Sequence, residues 1–176
     1  MKIIKTRFII ALIIVLAVVI WDFQKTVSPI KDGLDLKYIT TLRSAGNNNI
    51  SEQHLLFKKK NKKDYQVNIE STGFLANQQT YIVDENFLDE NGSFLPGPTA
   101  AVLWTDPALL SIGNNLTAGE VIKFTVWEGY AVAVIQDPAL ANCYGFYDRK
   151  TGLQVGYINC FSVNKLITVI KENNSK

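Results

Sequence analysis

From Leu34 onward, hydrophobic side chains tend to recur at every second position, which is the period of a β-strand with one buried face. Alternating or β-type apolar runs occupy residues 34–42, 65–69, 80–83, 121–126, 130–135, 143–147, 153–160 and 161–170. Clusters of Gly and Asn, such as residues 46–49 and 113–115, separate these runs and predict turns. Strands at this spacing with short polar connections predict a mainly β domain built on an antiparallel sheet.

Three local patterns refine this prediction. Trp127-Glu128-Gly129 lies between two apolar runs and predicts a hairpin turn. Asp148-Arg-Lys-Thr-Gly152 predicts a second hairpin loop, because an Asp side chain accepts backbone hydrogen bonds and Gly supplies a positive φ at the exit. Asp106-Pro107 has the residues of a helix start, with Asp as cap and Pro in the first turn, although helices beyond residue 28 should be few.

The N-terminal pattern is different. Lys2, Lys5 and Arg7 precede residues 8–21, a run of fourteen residues without a charge. As a helix it would be about 21 Å long, short of the roughly 30 Å of a bilayer core. Three interpretations are open: a retained membrane anchor, a cleaved signal segment, or a buried core helix. The anchor is favoured, because no small-residue cleavage site follows the run and the basic flank predicts a cytoplasmic N-terminus.

We therefore expect two parts, a basic flank with an anchor or signal segment at residues 1–28 and an extracytoplasmic antiparallel β domain at residues 29–176. Its sheet would be curved, as a half-barrel or a sandwich. Residues 1–28 carry four basic residues against one acidic, and the remainder carries fourteen against fifteen. The basic character therefore belongs to the predicted anchor, which is expected to place the chain in the cell membrane as a single-pass protein.

Composition narrows the chemistry. The formal net charge of +2 is too balanced to favour a nucleic-acid partner. One His and two Cys offer few ligands for a metal, and no nucleotide-binding, hydrolase or metalloprotease motif occurs, so we predict neither cofactor nor catalytic residue. His54 is interpreted as a strand residue. The acidic residues of 84–90 match no calcium-binding loop.

An external location would allow covalent modification. Cys143 and Cys160 lie on the two arms of the predicted 148–152 hairpin, and we expect a disulfide between them, with a bulge to bring them opposite. Possible N-glycosylation acceptors, each in an Asn-x-Ser/Thr pattern, are Asn49, Asn91, Asn115 and Asn173.

Two groups of residues are candidates for binding. The basic group Lys58, Lys59, Lys60, Lys62 and Lys63 could contact an anionic lipid or polymer, or form a solvated hairpin tip. The aromatic group Trp104, Phe124, Trp127 and Tyr130 could line an apolar cup for a lipid, or form the core.

A resemblance adds to this interpretation. Residues 29–38, 110–121 and 146–153 are similar to segments of uncharacterised archaeal exported proteins, which often carry an aromatic residue followed by Asp-x-x-Thr-Gly-Leu before a final strand pair. The resemblance implies a strongly curved antiparallel sheet, similar to lipoprotein-carrier half-barrels, and no catalytic residue. Many of those proteins carry a second anchor at the C-terminus, whereas this chain ends in residues 172–176, Glu-Asn-Asn-Ser-Lys.

Three functions are consistent with the sequence. The first is a non-enzymatic, membrane-tethered β domain outside the cytoplasmic membrane that acts as an interaction module or as an accessory subunit of an envelope complex. The second is an apolar-ligand binder. An apolar pocket of several hundred Å³ would favour this second function, whereas a filled core with an exposed apolar patch would favour the first. The third, more remote, is a hydrolase, which would need a cleft with converging carboxylates.

Overall fold

The computed structural model describes residues 29–44, 47–95, 102–138, 140, 142–158 and 162–171. Within them, ten strands form a single sheet in which every neighbouring pair is antiparallel. The strands are β1 (Leu34–Ser44), β2 (Asn47–Lys59), β3 (Tyr65–Ser71), β4 (Asn77–Val83), β5 (Asn115–Leu116), β6 (Gly119–Trp127), β7 (Tyr130–Gln136), β8 (Tyr144–Asp148), β9 (Gln154–Ile158) and β10 (Ser162–Lys171). The predicted mainly β, antiparallel architecture is confirmed.

The order across the sheet is β4-β3-β2-β1-β10-β9-β8-β7-β6-β5. Strands β1 to β4 therefore form one meander and β5 to β10 another, and the first and last strands, β1 and β10, pair to join them. Among the strands that the structure describes, β4 and β5 are the one consecutive pair that are not neighbours, and they lie at opposite edges. The chain must cross the sheet between residues 83 and 115 to connect them.

The two-residue period has the predicted consequence in the first meander. Leu36, Tyr38, Leu55 and Phe57 are all buried on one face, called here the core face. The intervening positions, including Lys37, lie on the outer face, where the Lys37 Nζ is 2.7 Å from Glu52 Oε2. The predicted turn at residues 46–49 is wrong for residues 47–49, because they continue β2 and pair with residues 42–44 of β1.

The segment between β4 and β5 fills the space over the core face. Phe87, Leu95, Leu103 and Trp104 are all buried and belong to the same core cluster as the strand side chains. Phe87 contacts Phe57 edge-on, with ring centroids 5.7 Å apart, and stacks on Trp104 at the same separation. We call residues 84–95 and 102–114 together the crossover.

The crossover is hydrogen-bonded to the strands beneath it. The backbone N–H groups of Gln154 and Thr105 donate to the carbonyls of Leu103 and Gly152, at 2.9 and 3.0 Å. The hydroxyl of Tyr147 donates to the Val102 carbonyl at 2.7 Å, and Trp104 Nε1 donates to the Thr151 carbonyl at 2.8 Å. The crossover is thus a fixed part of the fold.

Helical structure in the described residues is limited to two single 3-10 turns, Gly73–Leu75 and Pro107–Leu109. The second confirms the predicted cap, because the Asp106 carboxylate accepts a hydrogen bond from the Ala108 N–H at 2.8 Å. Among the residues that the structure describes, none of the helices has the length and hydropathy needed to cross a membrane. The predicted anchor at residues 8–21 lies outside those residues.

Candidate functional site

The most unusual surface of the described chain is the edge of the sheet formed by β6. Strand β5 is only two residues long and pairs with Gly119 and Glu120 at the start of β6. Gly113 and Asn114 continue this pairing as far as Val121, through hydrogen bonds of 2.8 and 2.9 Å. From residue 122 to residue 127, β6 has a neighbour on the β7 side only, as far as the described chain shows. We call residues 122–127 the open edge.

The hairpin between β6 and β7 determines which backbone groups face outward. Glu128 and Gly129 form its two-residue turn, both with positive φ, so Trp127 and Tyr130 are a hydrogen-bonded pair. Hydrogen-bonded pairs alternate along an antiparallel ladder. The backbone groups of Thr125 therefore point to β7, and those of Phe124 and Val126 point away from the sheet, where they can accept another strand.

The side chains at the same positions are apolar and exposed. Val126 exposes 70% of its surface and Phe124 exposes 36%, and both lie on the outer face. The Arg149 guanidinium lies 4.1 Å from the centroid of the Phe124 ring and covers part of it. Ile112, which is 61% exposed, directly precedes the Gly113–Val121 contact where the internal pairing stops. The open edge is therefore bordered by apolar side chains along its length.

Three of the four predicted aromatic residues meet in the core and only Phe124 lies apart. Trp104 belongs to the core cluster, Trp127 and Tyr130 pack against the same cluster, and Phe124 lies on the outer face. Trp127 stacks on Phe146 with ring centroids 4.1 Å apart, and Tyr130 packs against the core cluster. Of the four, Phe124 borders the open edge and Trp104 borders a cleft described next. The sequence pattern does not single out Val126 and Ile112, because the order of strands in the sheet decides whether their side chains are exposed.

A cleft of about 330 Å³ lies between the crossover and the β5–β6 turn. Its apolar side chains include Leu88, Phe94, Trp104, Leu109 and Leu116, and the rest include Asn and Thr residues and one acidic residue, Asp106. This volume is at the lower end of the range for small-molecule sites. The cleft therefore does not lie on the core face of the sheet. The predicted aromatic cup for a lipid was expected there, but side chains of the crossover fill that face.

The predicted basic group lies at the tip of the β2–β3 hairpin, with all five lysines exposed. The turn is closed by Asn61, whose side-chain oxygen accepts hydrogen bonds from the backbone N–H groups of Lys63 and Asp64. At the base of the tip, the Lys59 N–H donates to Asp32 Oδ1 at 2.8 Å. These contacts fit a solvated hairpin tip, and an anionic contact stays a prediction.

The three predicted glycosylation acceptors that the structure describes, Asn49, Asn91 and Asn115, are all exposed. Asn91 lies in a turn and Asn115 in β5. Asn49 lies inside β2, and the Ser51 of its motif is buried with its hydroxyl donating to the Thr72 carbonyl. Asn173 lies outside the described residues. Modification of all four stays a prediction.

The predicted disulfide is not tested by the structure. Cys143 is buried with a free thiol, and Cys160 lies outside the described residues. Between β8 and β9 the pairing shifts by one residue at a bulge next to Tyr147 and continues to Tyr144↔Ile158. A bulge is therefore present in this hairpin, and the placement of Cys143 opposite Cys160 stays a prediction.

A small polar site lies beside Cys143. The Tyr157 hydroxyl donates to Asp137 Oδ2 at 3.3 Å, and both residues line a cavity of about 150 Å³ together with Tyr147. Burial, together with the neighbouring Cys143 thiol, raises the pKa of Tyr157 above its usual value. A phenol that stays protonated acts as a hydrogen-bond donor, which is a structural role here.

On the outer face of β1 and β2, the hydrogen bond and charge of Lys37 lower the pKa of the exposed Glu52 carboxyl. Within the part of the chain that the structure covers, His, Cys, Asp and Glu side chains form no group of three that could hold a metal ion.

Comparison of the chain with profiles of known protein families, with curated proteins and with solved structures finds no match to any of them.

Proposed function

We propose that this chain is a non-enzymatic, membrane-tethered β domain outside the cytoplasmic membrane that binds a partner protein by adding a strand to the open edge of β6. Strand addition supplies main-chain hydrogen bonds for affinity and side-chain contacts for specificity. The tether is the predicted anchor at residues 8–21, with a cytoplasmic N-terminus and residues 29–176 outside the membrane.

The observation that supports binding is the composition of the open edge. Long, apolar edge strands favour association with another strand, and proteins usually protect them with charges, Pro or a covering segment. Residues 122–127, Ile-Lys-Phe-Thr-Val-Trp, hold five β-favouring residues and a single charge. Exposure of Phe124 and Val126 at positions whose backbone groups also face outward makes this surface suited to a strand partner.

The packing of the interior favours this function over a lipid cup. The core face is covered by Phe87, Leu95, Leu103 and Trp104 of the crossover, so its aromatic side chains stabilise the fold. A filled core combined with an exposed apolar edge is the arrangement expected for an interaction module.

The proposal is tested by Val126→Lys in the full chain, extracted from native membranes in mild detergent. A lysine at this position disfavours strand addition, as charges on edge strands do, and Val126 is exposed enough that the free energy of unfolding should change by less than about 0.5 kcal/mol. We expect the native assembly, sized by native electrophoresis, to dissociate. Gln79→Lys, an exposed change on the opposite edge strand β4, is the matched control. An assembly unchanged by Val126→Lys would refute the proposal.

The cleft of about 330 Å³ supports a second candidate function, the binding of an uncharged apolar ligand. Leu109 lines the cleft and is 48% exposed, whereas Leu140 is similarly exposed at 54% but does not line it. Leu109→Glu places a charge in the cleft, and Leu140→Glu provides the matched control.

The ligand hypothesis predicts that the uncharged fluorescent probe N-phenylnaphthylamine binds the full chain in detergent-free lipid nanodiscs. Its affinity should fall about tenfold in Leu109→Glu, because burying an unpaired charge in an apolar site is unfavourable. Leu140→Glu should leave the affinity unchanged. Equal affinities for both variants would mean that the probe partitions elsewhere, and the cleft would be rejected as a ligand site.

A further inference from the structure

We infer that the strand added to the open edge is the same edge of a second copy, in a two-fold antiparallel pair centred on Thr125. This inference rests on the proposed function, since it names the partner for that surface. It follows from the register that the open edge allows and from the side chains that this register brings together.

The outward backbone groups restrict the possible registers. Phe124 and Val126 must form the hydrogen-bonded pairs across the interface, because their N–H and C=O groups face outward. A pair centred on Phe124 would place Trp127 of the second copy opposite Val121, which already pairs with Gly113 and Asn114. A centre on Thr125 uses residues 123–127 of each copy and avoids that contact.

Side-chain complementarity favours the same centre. With Thr125 opposite itself, Phe124 lies opposite Val126 of the second copy, and the pair occurs twice by symmetry. Aromatic and β-branched side chains are a favourable cross-strand combination. The pairing would place an apolar neighbour beside each of these side chains and so reduce the exposure of Val126, which is now 70%.

The charges of the open edge are also compatible with self-pairing. Lys123 is its single charged residue, and in this register it lies opposite Trp127 of the second copy, an aromatic ring that can receive a cation. The two lysines are four strand positions apart, about 14 Å, at a strand rise of about 3.4 Å per residue. That separation exceeds the Debye length of roughly 8–10 Å in physiological salt, so their repulsion is screened.

The opposite edge of the sheet is a poorer partner for the open edge. The first four residues of β4 are exposed and polar, Asn77, Gln78, Gln79 and Thr80. They would place amide and hydroxyl side chains against Phe124 and Val126. If β6 of one copy paired with β4 of the next, each pair of copies would still have a free β6 and a free β4, and further copies could add without limit. Pairing of β6 with β6 uses the same edge of both copies and closes as a dimer.

The test is the mass of the full chain, purified alone in detergent micelles, by sedimentation velocity. Wild type should form dimers in a concentration-dependent equilibrium. Phe124→Glu and Val126→Lys should each weaken dimerisation about tenfold or more, because each change occurs twice in the interface.

Combining the two changes in one chain provides the matched rescue. The double variant places the new carboxylate opposite the new ammonium group in both symmetry-related pairs, so it should restore wild-type affinity to within about threefold. Arg149 lies beside position 124 and can also pair with the new carboxylate.

A second measurement does not depend on weakening the interface. Thr125→Cys should give a covalent dimer under mild oxidation, because residue 125 faces itself at the two-fold axis. Gln79→Cys, equally exposed on β4, should not. Both variants change an exposed side chain.

The outcomes separate this inference from the proposed function. A monomeric wild type, an open-ended series of oligomers, or a double variant as weak as the single ones would overturn the two-fold pair. If the purified chain is monomeric while the assembly from native membranes still depends on Val126, the open edge binds a different protein, and only the inference fails.

Discussion

The position of Trp127 shows how one small residue determines the packing of a large one. Its indole stacks on Phe146 on one side, and its Nε1 lies against Gly156, where an added Cβ would be 2.5 Å away. The same Nε1 is buried, and among the described residues it has no hydrogen-bond partner. Trp127 is therefore retained in this position by packing, and Gly156 provides the space that it needs.

Gly156→Ala should lower the free energy of unfolding by about 1–3 kcal/mol, which is the usual cost of overpacking a core. The reason is the contact between the new Cβ and the Trp127 ring, which is fixed by Phe146 and cannot move away freely. Urea denaturation of wild type and variant measures the difference.

Trp127→Leu supplies the control for this prediction, because it removes the ring that the new methyl group would contact. In that background, Gly156→Ala should cost clearly less, so the two changes should be non-additive. Equal costs in both backgrounds would show that Gly156 is required for another reason.

At the scale of the element, the β8–β9 turn is fixed by one carboxylate. Asp148 Oδ2 accepts hydrogen bonds from the Thr151 backbone N–H and hydroxyl, at 3.1 and 2.7 Å. Gly152 ends the turn with a φ of 72°. The Thr151 carbonyl accepts a hydrogen bond from the Trp104 indole N–H, so the turn also holds the crossover in place.

Asp148→Ala should lower the free energy of unfolding by about 1.5–3 kcal/mol, the range for hydrogen bonds to a charged group. Asp148→Asn keeps an acceptor for the Thr151 N–H, so it should lower the free energy of unfolding by less than Asp148→Ala does. Lys150→Ala, an exposed change in the same turn, should stay within about 0.5 kcal/mol of wild type.

Chemical denaturation followed by tryptophan fluorescence measures the stability of each variant. An Asp148→Ala protein as stable as wild type would contradict the role assigned to this turn.

At the scale of the whole molecule, two buried tyrosines join distant parts of the chain. The Tyr38 hydroxyl donates to the Gln154 carbonyl at 2.7 Å, linking β1 to β9. Tyr147 links β8 to the crossover through the Val102 carbonyl. Burial raises the pKa of both phenols, and the neighbouring tyrosines raise that of Tyr38 further, while the Gln154 amide partly offsets the effect at Tyr147.

These raised pKa values predict a loss of stability in alkaline solution. In the unfolded chain both phenols ionise near pH 10, their usual pKa. In the folded chain they remain protonated at that pH, so the native state binds more protons and the free energy of unfolding falls as pH rises above about 10. Their contribution is fully present below that pH.

Urea denaturation between about pH 8 and pH 11 measures this slope. Tyr147→Phe should reduce this slope, because it removes one of the three phenols whose pKa burial raises, those of Tyr38, Tyr147 and Tyr157. A stability that stays constant across this range, or a slope unaffected by Tyr147→Phe, would contradict the assignment.

The sequence was most informative where the structure depends on neighbouring residues. The two-residue period predicted the strands because an alternating pattern buries one face whichever strands pair with it. The Glu128-Gly129 and 148–152 turns were predicted because their backbone conformations favour particular residues. Residues 47–49 were the exception. Three consecutive asparagines indicate a turn, but the eleven-residue pairing of β1 with β2 extends through them.

The candidate site depended on long-range contacts. The pattern of residues 122–127 predicts a strand and a hairpin, but it contains no information on whether a strand covers the other edge. That depends on the crossover, which carries the chain from β4 to the far side of the sheet, where, among the described residues, β5 and the adjoining Gly113 and Asn114 pair with the start of β6 and no strand pairs with the rest of this edge. Trp104 illustrates the same limit, since an aromatic residue suits a core and a ligand cup equally well. In the structure Trp104 stacks on Phe87 and belongs to the core.

By itself, then, the sequence determined the strand content, the turn chemistry and the separation of an apolar, basic-flanked N-terminal run from a nearly neutral β region, because each follows from side-chain period, backbone preference or charge. Tertiary structure alone decided the pairing of β1 with β10, the filling of the core face and the exposure of Val126. These features arise from contacts between residues far apart in the chain, which no local pattern records.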